Sequence, residues 1–464
     1  MVKSILQRWL PWIFGKAAQG RPALPASRTQ APESRGHSLP AGEGVQAIPG
    51  PTVIGVRRPL ISSAGAVAGF EFRMGEDVVR ELKRQADPHA QATRLAALLT
   101  SASVMAQAGR IGFARIPAEW LLHARALEVG PGVLIGLEST LPVVLLAPAT
   151  VAMEQAVLAL RAKGVQVGWG LELGAKILPD FVLLRQGAHS MSTLLDSLGA
   201  RPVEWKGLPV LVTDIGNVEE LEMALYNGVT YACGELDSEP VVAEPAGKHP
   251  VPPEVRRVGL LLNQLASGAD TAVIVDQIKG DVGLSYRLLS RINSASYAQL
   301  GSYASVEQAV LLMGRHELYR WLSLLLVQFA GSRKTSSALQ EMALWRSRLL
   351  ELLAIENHEA SPDQFFTLGL ASMLGQILKI SQAEVVSTLS LPAFATQALL
   401  EHSGPWYPYL HMATRIETHA LEQSAELVAQ FGGTARLLML SDQAWRWAAE
   451  QASHANVPDA AKAV

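Results

Sequence analysis

The sequence predicts a multi-domain chain, a TIM-like α/β barrel followed by an all-α domain. Three observations carry this. Short β-rich runs alternate with helical ones over 52–237, a proline-rich seam SEPVVAEPAGKHPVPPEV follows at 238–255, and helical spacing alone continues over 256–452. Repeated strand–helix alternation builds a mostly parallel sheet with helices outside it, and the number of units here suits a barrel.

The chain opens with residues 1–17, MVKSILQRWLPWIFGKA, where Ile5, Trp9, Trp12 and Ile13 share a helical face ringed by Lys3, Arg8 and Lys16. That is a weak interfacial pattern, so membrane-surface or partner contact through residues 1–16 is one reading, and a short helix ahead of a linker is the other. Arg8 and Pro11 interrupt the apolar stretch, which falls far short of the roughly 20 residues of a span. Residues 18–51, rich in Pro, Ala, Gly and Ser, read as a flexible linker.

Strands are expected at TVIGVRRPLI (52–61), AVAGFEFRM (66–74), IGFARI (111–116), GVLIGLE (132–138), VQVGWGL (165–171), DFVLLR (180–185) and LPVLVTDI (208–215). EDVVRELKRQ through MAQAG, ATVAMEQAVLALRAKG and VEELEMALYNG are helical. Beyond the seam, Leu284, Leu288 and Ile292 repeat at helical spacing, as do Leu318, Leu322, Leu326 and Phe329. Ser305 with Gln308 forms a capping-box pattern, and Gly314 is a suitable stop. Residues 453–464 form a tail.

At 464 residues the chain fits two or three domains, and 49% apolar content supports sizeable cores. A net charge of −3 without long basic runs excludes the broad footprint of a nucleic-acid binder. The single cysteine, Cys233, excludes an intramolecular disulfide and a multi-cysteine zinc site, and with no export signal it points to a cytoplasmic protein. There is no Walker loop, dinucleotide fingerprint or Gly-x-Ser-x-Gly elbow, and no cofactor is expected. The aromatics of EHSGPWYPYLHM (401–412) read either as an exposed recognition surface or as packing at a helix junction.

Two motif sets carry a resemblance. VRRPLISSAGAVAGFEFR resembles the opening of the EAL family of cyclic di-GMP phosphodiesterases, a Gln-Pro-Ile strand followed by a Gly-Phe-Glu strand, and the resemblance runs over most of the first domain. KGDVGLSYRLLSRINSASYAQLGSYASVEQAVLLMGRHEL resembles HDOD, the relative of HD phosphohydrolases without their metal ligands. An EAL-like domain followed by HDOD is a bacterial signalling architecture.

The resemblance implies a test. EAL hydrolysis needs divalent metals held by several carboxylates and an asparagine, because the cations activate water and neutralise the phosphodiester. Glu71 takes the motif glutamate's place, but the asparagine falls at Arg115, the Glu-x-x-Glu pair is reduced to Glu138, and the paired aspartates fall near Gly170–Glu172. Asp180 survives, while the family's lysine becomes Leu183 and its closing aspartate Arg185. Asp214 stands in for one glutamate of a segment now ending in Asn217. One family glutamine becomes Arg58 and another Cys233.

Glu71, Glu138, Asp180 and Asp214 are therefore expected to be vestigial, with no metal bound and no catalysis. Glu71 and Arg73, two apart on a strand, are expected to pair. Arg58, Arg73 and Arg115 are the alternative, an anion-binding mouth for a phosphate-bearing ligand. In the helical domain the HD pair falls at Ser372-Met373, and His316, His358, His402, His411 and His419 are scattered.

The resulting expectation is a non-catalytic cytoplasmic regulatory protein of bacterial signal transduction, acting by protein–protein interaction and connected with cyclic di-GMP, motility or surface behaviour. Its partners would be signalling proteins of unknown identity, and its two domains could shift against each other. The alternatives are a cyclic di-GMP receptor and, last, an active phosphodiesterase.

Overall fold

In the computed structural model, residues 56–455 are described apart from 126, 139–146, 174–176, 188, 237–250, 294–304, 329–333, 390 and 419–423. The 1–17 segment, the 18–51 linker, the 238–255 seam up to residue 250, the tail beyond 455, Phe329 and His419 lie outside these residues.

Eight strands close into a barrel in chain order: β1 (Val56–Ser62), β2 (Val67–Arg73), β3 (Ile111–Pro117), β4 (Val133–Glu138), β5 (Gln166–Trp169), β6 (Val182–Arg185), β7 (Val210–Ile215) and β8 (Tyr231–Gly234). β2 to β8 run parallel, whereas β1 is antiparallel to both its neighbours. The tight turn at 63–66 sets that reversal, because a two-strand hairpin cannot be parallel. Seven strands match the expected runs. The eighth, Tyr231–Gly234, lies in none of them.

Alternation sorts the strand residues. Ile61, Phe70, Phe72, Ala114, Ile135, Val167, Val212 and Ala232 face outward into the main apolar core. Leu60, Phe113, Leu134, Leu183, Leu211 and Cys233 face inward and, with Phe181, fill the barrel. Above this apolar plug, toward the C-terminal ends of β2 to β7, the inward positions turn polar.

The helical stretch expected over 76–109 is two helices, Glu76–Gln85 and Pro88–Gln107. Ala86 at φ 50° breaks them, and Asp87 caps the second by accepting from the His89 amide at 2.9 Å, with Pro88 in the first turn.

From Pro253 onward the described residues are helical. Leu284, Leu288, Ile292, Leu318, Leu322 and Leu326 are all buried, as their spacing predicts. Ser305 Oγ accepts from the Gln308 amide at 3.2 Å and starts the helix Val306–Gln328. Gly314, expected as a stop, ends the first of two helices within this stretch at φ 71° and ψ 169°, and the chain resumes helical geometry at once.

Barrel and helices share one continuous apolar cluster. Phe70 of β2 meets Trp445 edge-on at 4.7 Å, and Trp445 stacks on Trp345 at 5.0 Å. Arg110 reaches Glu341 at 2.6 Å, Thr335 donates to Glu222 at 2.7 Å, and Gln376 donates to the Leu236 carbonyl at 2.8 Å. Two domains sliding on a linker would leave this much apolar surface wet, so residues 56–455 behave as one packed body. Among the described residues no helix is long and apolar enough to cross a membrane.

Candidate functional site

The polar inward positions of the barrel form one ion network at its mouth. Arg58 of β1 lies opposite Glu71 of β2 in register, and Arg73 follows two residues on, over the same opening. Arg115 comes from β3, Glu138 from the end of β4, Arg185 from the end of β6, and Asp214 from β7.

A bulge delivers Asp214. Val212 and Ile215 both face the outer core, so two residues, Thr213 and Asp214, occupy what alternation would give to one. Asp214 takes a φ of 57°, a left-handed conformation that Asp tolerates better than most residues. The extra residue re-aims its carboxylate over the mouth, the usual effect of a bulge.

Four guanidiniums converge on that carboxylate. Arg58 approaches it at 2.9 Å, Arg115 at 3.0 Å, Arg73 at 3.3 Å and Arg185 at 2.6 Å. Arg115 also reaches Glu71 at 3.0 Å and Glu138 at 2.6 Å, while Arg58 reaches Glu235 at 2.5 Å and stands 3.8 Å from Glu71. Arg185 closes the rim on Glu76 at 2.9 Å. Glu71 is fully buried and Arg115 is 4% exposed, so their pair is made out of reach of water.

The expected Glu71–Arg73 pair is not what forms. Arg73 turns to Asp214, and Glu71 is neutralised from the next strand by Arg115. The reason is geometric: same-strand neighbours two apart diverge over the curved barrel, whereas adjacent strands bring Glu71 and Phe113 into register with Arg115 just above. Asp180 is also displaced from the site. It precedes β6, at the barrel's opposite end, where it accepts from the Val167 amide at 2.8 Å and from Arg161 at 3.0 Å. Glu172 is exposed in a short turn after β5.

Electrostatics follow from burial and pairing. Burial pushes the Asp214 carboxyl up, but Arg115, Arg73 and Arg185 outweigh it and hold the group well below the usual carboxylate range. Burial likewise opposes charge on Arg115, and Glu71, Glu138 and Asp214 overcome it and raise the guanidinium further. Cys233, below the network, is buried and its thiol is pushed up by that burial.

The network bears on the metal chemistry that the resemblance implies. A divalent ion bound here would need carboxylate oxygens at about 2.0–2.6 Å. The guanidinium of Arg115 occupies the space that Glu71, Glu138 and Asp214 enclose. Another cation placed about 4 Å away would meet repulsion of roughly 4 kcal/mol per unit charge, even near a protein surface. The residues present do not fit a metal held by these three acids.

In the helical part, Ser372 of the helix Pro362–Leu378 accepts from Arg346 at 3.0 Å, and Arg346 pairs with buried Glu417 at 2.5 Å. Met373 is buried in the core. His316 is exposed on the helix Val306–Gln328, and His358 is exposed in the turn after Glu356. His402 and His411 stack on either side of Tyr407, at 5.7 and 5.3 Å. The 401–412 aromatics are thus divided: Trp406 and Tyr409 pack on Phe365 in the core, and the Tyr407 stack lies outside them.

Sequence reasoning missed Glu76 and Glu235 as members of the network. Glu235 directly follows β8, the strand left unpredicted, and Glu76 opens a surface helix; neither lies in a motif. A signal was available in the arginines at inward positions, each of which needs a nearby acid once buried.

Residues 250–400 match the HDOD domain family. Among curated proteins, the chain is 28% identical over 239 residues to YuxH, an uncharacterized protein of Bacillus subtilis, covering 51% of this chain and 56% of that one. It is 26% identical over 218 residues to the cyclic di-GMP phosphodiesterase CdgJ of Vibrio cholerae, covering 45% of this chain and 50% of that one. The chain spans about half the length of these relatives. Among solved structures, an EAL domain protein from Listeria monocytogenes aligns with a TM-score of 0.30 and 13% identity, over 40% of this chain and 87% of that one. An HDOD domain protein of unknown function from Geobacter sulfurreducens aligns with a TM-score of 0.31 and 15% identity, over 45% and 92%.

Proposed function

We propose that this chain, an EAL-like barrel joined to an HDOD domain, is a non-catalytic regulatory protein of bacterial signal transduction. In this reading it works in cyclic di-GMP signalling, in the setting of motility or surface behaviour, by contact with other signalling proteins. The observation that carries the reading is the Arg115 guanidinium seated among Glu71, Glu138 and Asp214. A fixed monovalent cation neutralises the acids as a metal would, but it carries no exchangeable water to act as nucleophile.

The test is direct incubation of the full chain with cyclic di-GMP and Mg²⁺ or Mn²⁺, with chromatography for the linear dinucleotide. No product is expected from the protein or from Glu71→Gln. Metal-dependent turnover that Glu71→Gln abolishes overturns the reading.

A second reading, a cyclic di-GMP receptor, is favoured by one observation: Arg73 and Arg185 reach the rim of the mouth with 16% and 53% of their side chains exposed. Guanidiniums so placed can fork onto phosphate oxygens. Calorimetry decides it. Saturable heat with cyclic di-GMP, weakened by Arg58→Ala or Arg73→Ala, supports a receptor, and no heat at high ligand concentration sinks it.

A further inference from the structure

We propose that the β1–β2 hairpin couples the barrel mouth to the helical domain, so that a change in the mouth network alters the packing of the helices behind it. The basis is that successive residues of these strands serve opposite sides. Arg58, Glu71 and Arg73 belong to the mouth network. Their neighbours Arg57, Phe70 and Phe72 face the helices: Arg57 pairs with Asp442 and lies 5.5 Å over the Phe72 ring, and Phe70 packs on Trp445.

Asp442 and Trp445 are three apart on the helix Thr434–Ala455, hence on one face. Trp445 in turn stacks on Trp345 of the helix Ser336–Glu356, and Trp345 donates to Ser441 at 3.3 Å. The hairpin tip is held as well. Gly65, at φ 78°, accepts from the Ala338 amide at 3.0 Å, and a Cβ there would fall 1.5 Å from the Lys334 carbonyl oxygen.

A strand pair gripped on both faces and at its tip cannot rotate or slide for one side alone. In a β-strand a shift that re-aims Arg58 also moves Arg57, because their side chains share one backbone. The buried ion pairs at the mouth fix the hairpin's position sharply, since a charge left unpaired out of reach of water is strongly destabilising. This coupling stands whether or not the barrel binds a nucleotide or turns one over.

Hydrogen exchange on the full chain tests it. Arg58→Gln breaks the mouth network from the hairpin, and Arg185→Gln breaks the same network from β6. Arg58→Gln is expected to speed amide exchange in 434–455 and 336–356 by about 5-fold or more, and Arg185→Gln by much less. A rise confined to barrel peptides, or one of equal size in the two variants, overturns the coupling. Should Arg58→Gln fail to fold, the reciprocal variant serves. Asp442→Asn, made from the helix side, is expected to speed exchange in 210–215, where Asp214 sits, and no change there overturns the coupling.

Discussion

Nη1 of Arg115 lies 3.0 Å from Oε1 of Glu71, and neither side chain has meaningful access to solvent. One strand supplies the charge that makes its neighbour's buried acid tolerable. The two are obligate partners, and that makes their energetics testable.

Arg115→Met should destabilise the fold by about 3–5 kcal/mol, because it leaves buried Glu71 with only the more distant Arg58, at 3.8 Å, to offset its charge. Adding Glu71→Gln should recover part of the loss, a non-additivity that a double-mutant cycle in denaturant reads directly. Arg115→Lys should fall between, since an ammonium keeps the charge but cannot fork to three acids.

Asp214 sets a pH dependence. Its folded-state pKa is depressed, so its contribution to stability is complete above the ordinary carboxylate pKa of about 3.9 and is lost as pH falls below that value toward the folded one. Urea midpoints measured from pH 6 down to pH 3 should fall for the native chain, and the fall should be shallower in Asp214→Asn.

Gly65→Ala should be among the costliest single methyl additions in the chain. The positive φ alone costs about 1–3 kcal/mol, and the methyl would overlap the Lys334 carbonyl. A thermal melt of the variant, compared with Gly109→Ala, where φ is 80° and nothing lies within 4 Å of the added Cβ, separates the clash from the strain.

Trp445→Ala should cost about 3–5 kcal/mol by emptying the space between Phe70 and Trp345. Barrel and helical probes should still lose structure together. Two resolved transitions in the native chain, followed by exchange in 210–215 and in 336–356, would contradict the shared core.

The architecture was legible because its signals are local: alternating apolar runs and helical spacing. β8 escaped because Tyr231–Gly234 holds two small residues and a glycine and, unlike the equally short β5 and β6, is not embedded in a longer apolar run. The site was legible one residue at a time and illegible as pairs. Arg58, Glu71, Arg73, Arg115, Glu138 and Asp214 were all singled out and all meet at the mouth, but which acid each arginine takes depends on strand register and on the bulge at Asp214. Asp180 stood in a family position and belongs to the other end of the barrel. Arg57 gave no sign of its task, because its partner Asp442 lies 385 residues away.

The edge-on contact between Phe70 and Trp445 also bears on how such a chain can be inherited. Cutting it at the proline-rich seam would present a tryptophan pair, Trp345 and Trp445, to water on one fragment and two phenylalanines, Phe70 and Phe72, on the other. Recombination at that seam therefore yields two sticky halves, each exposing the apolar face that the other now covers.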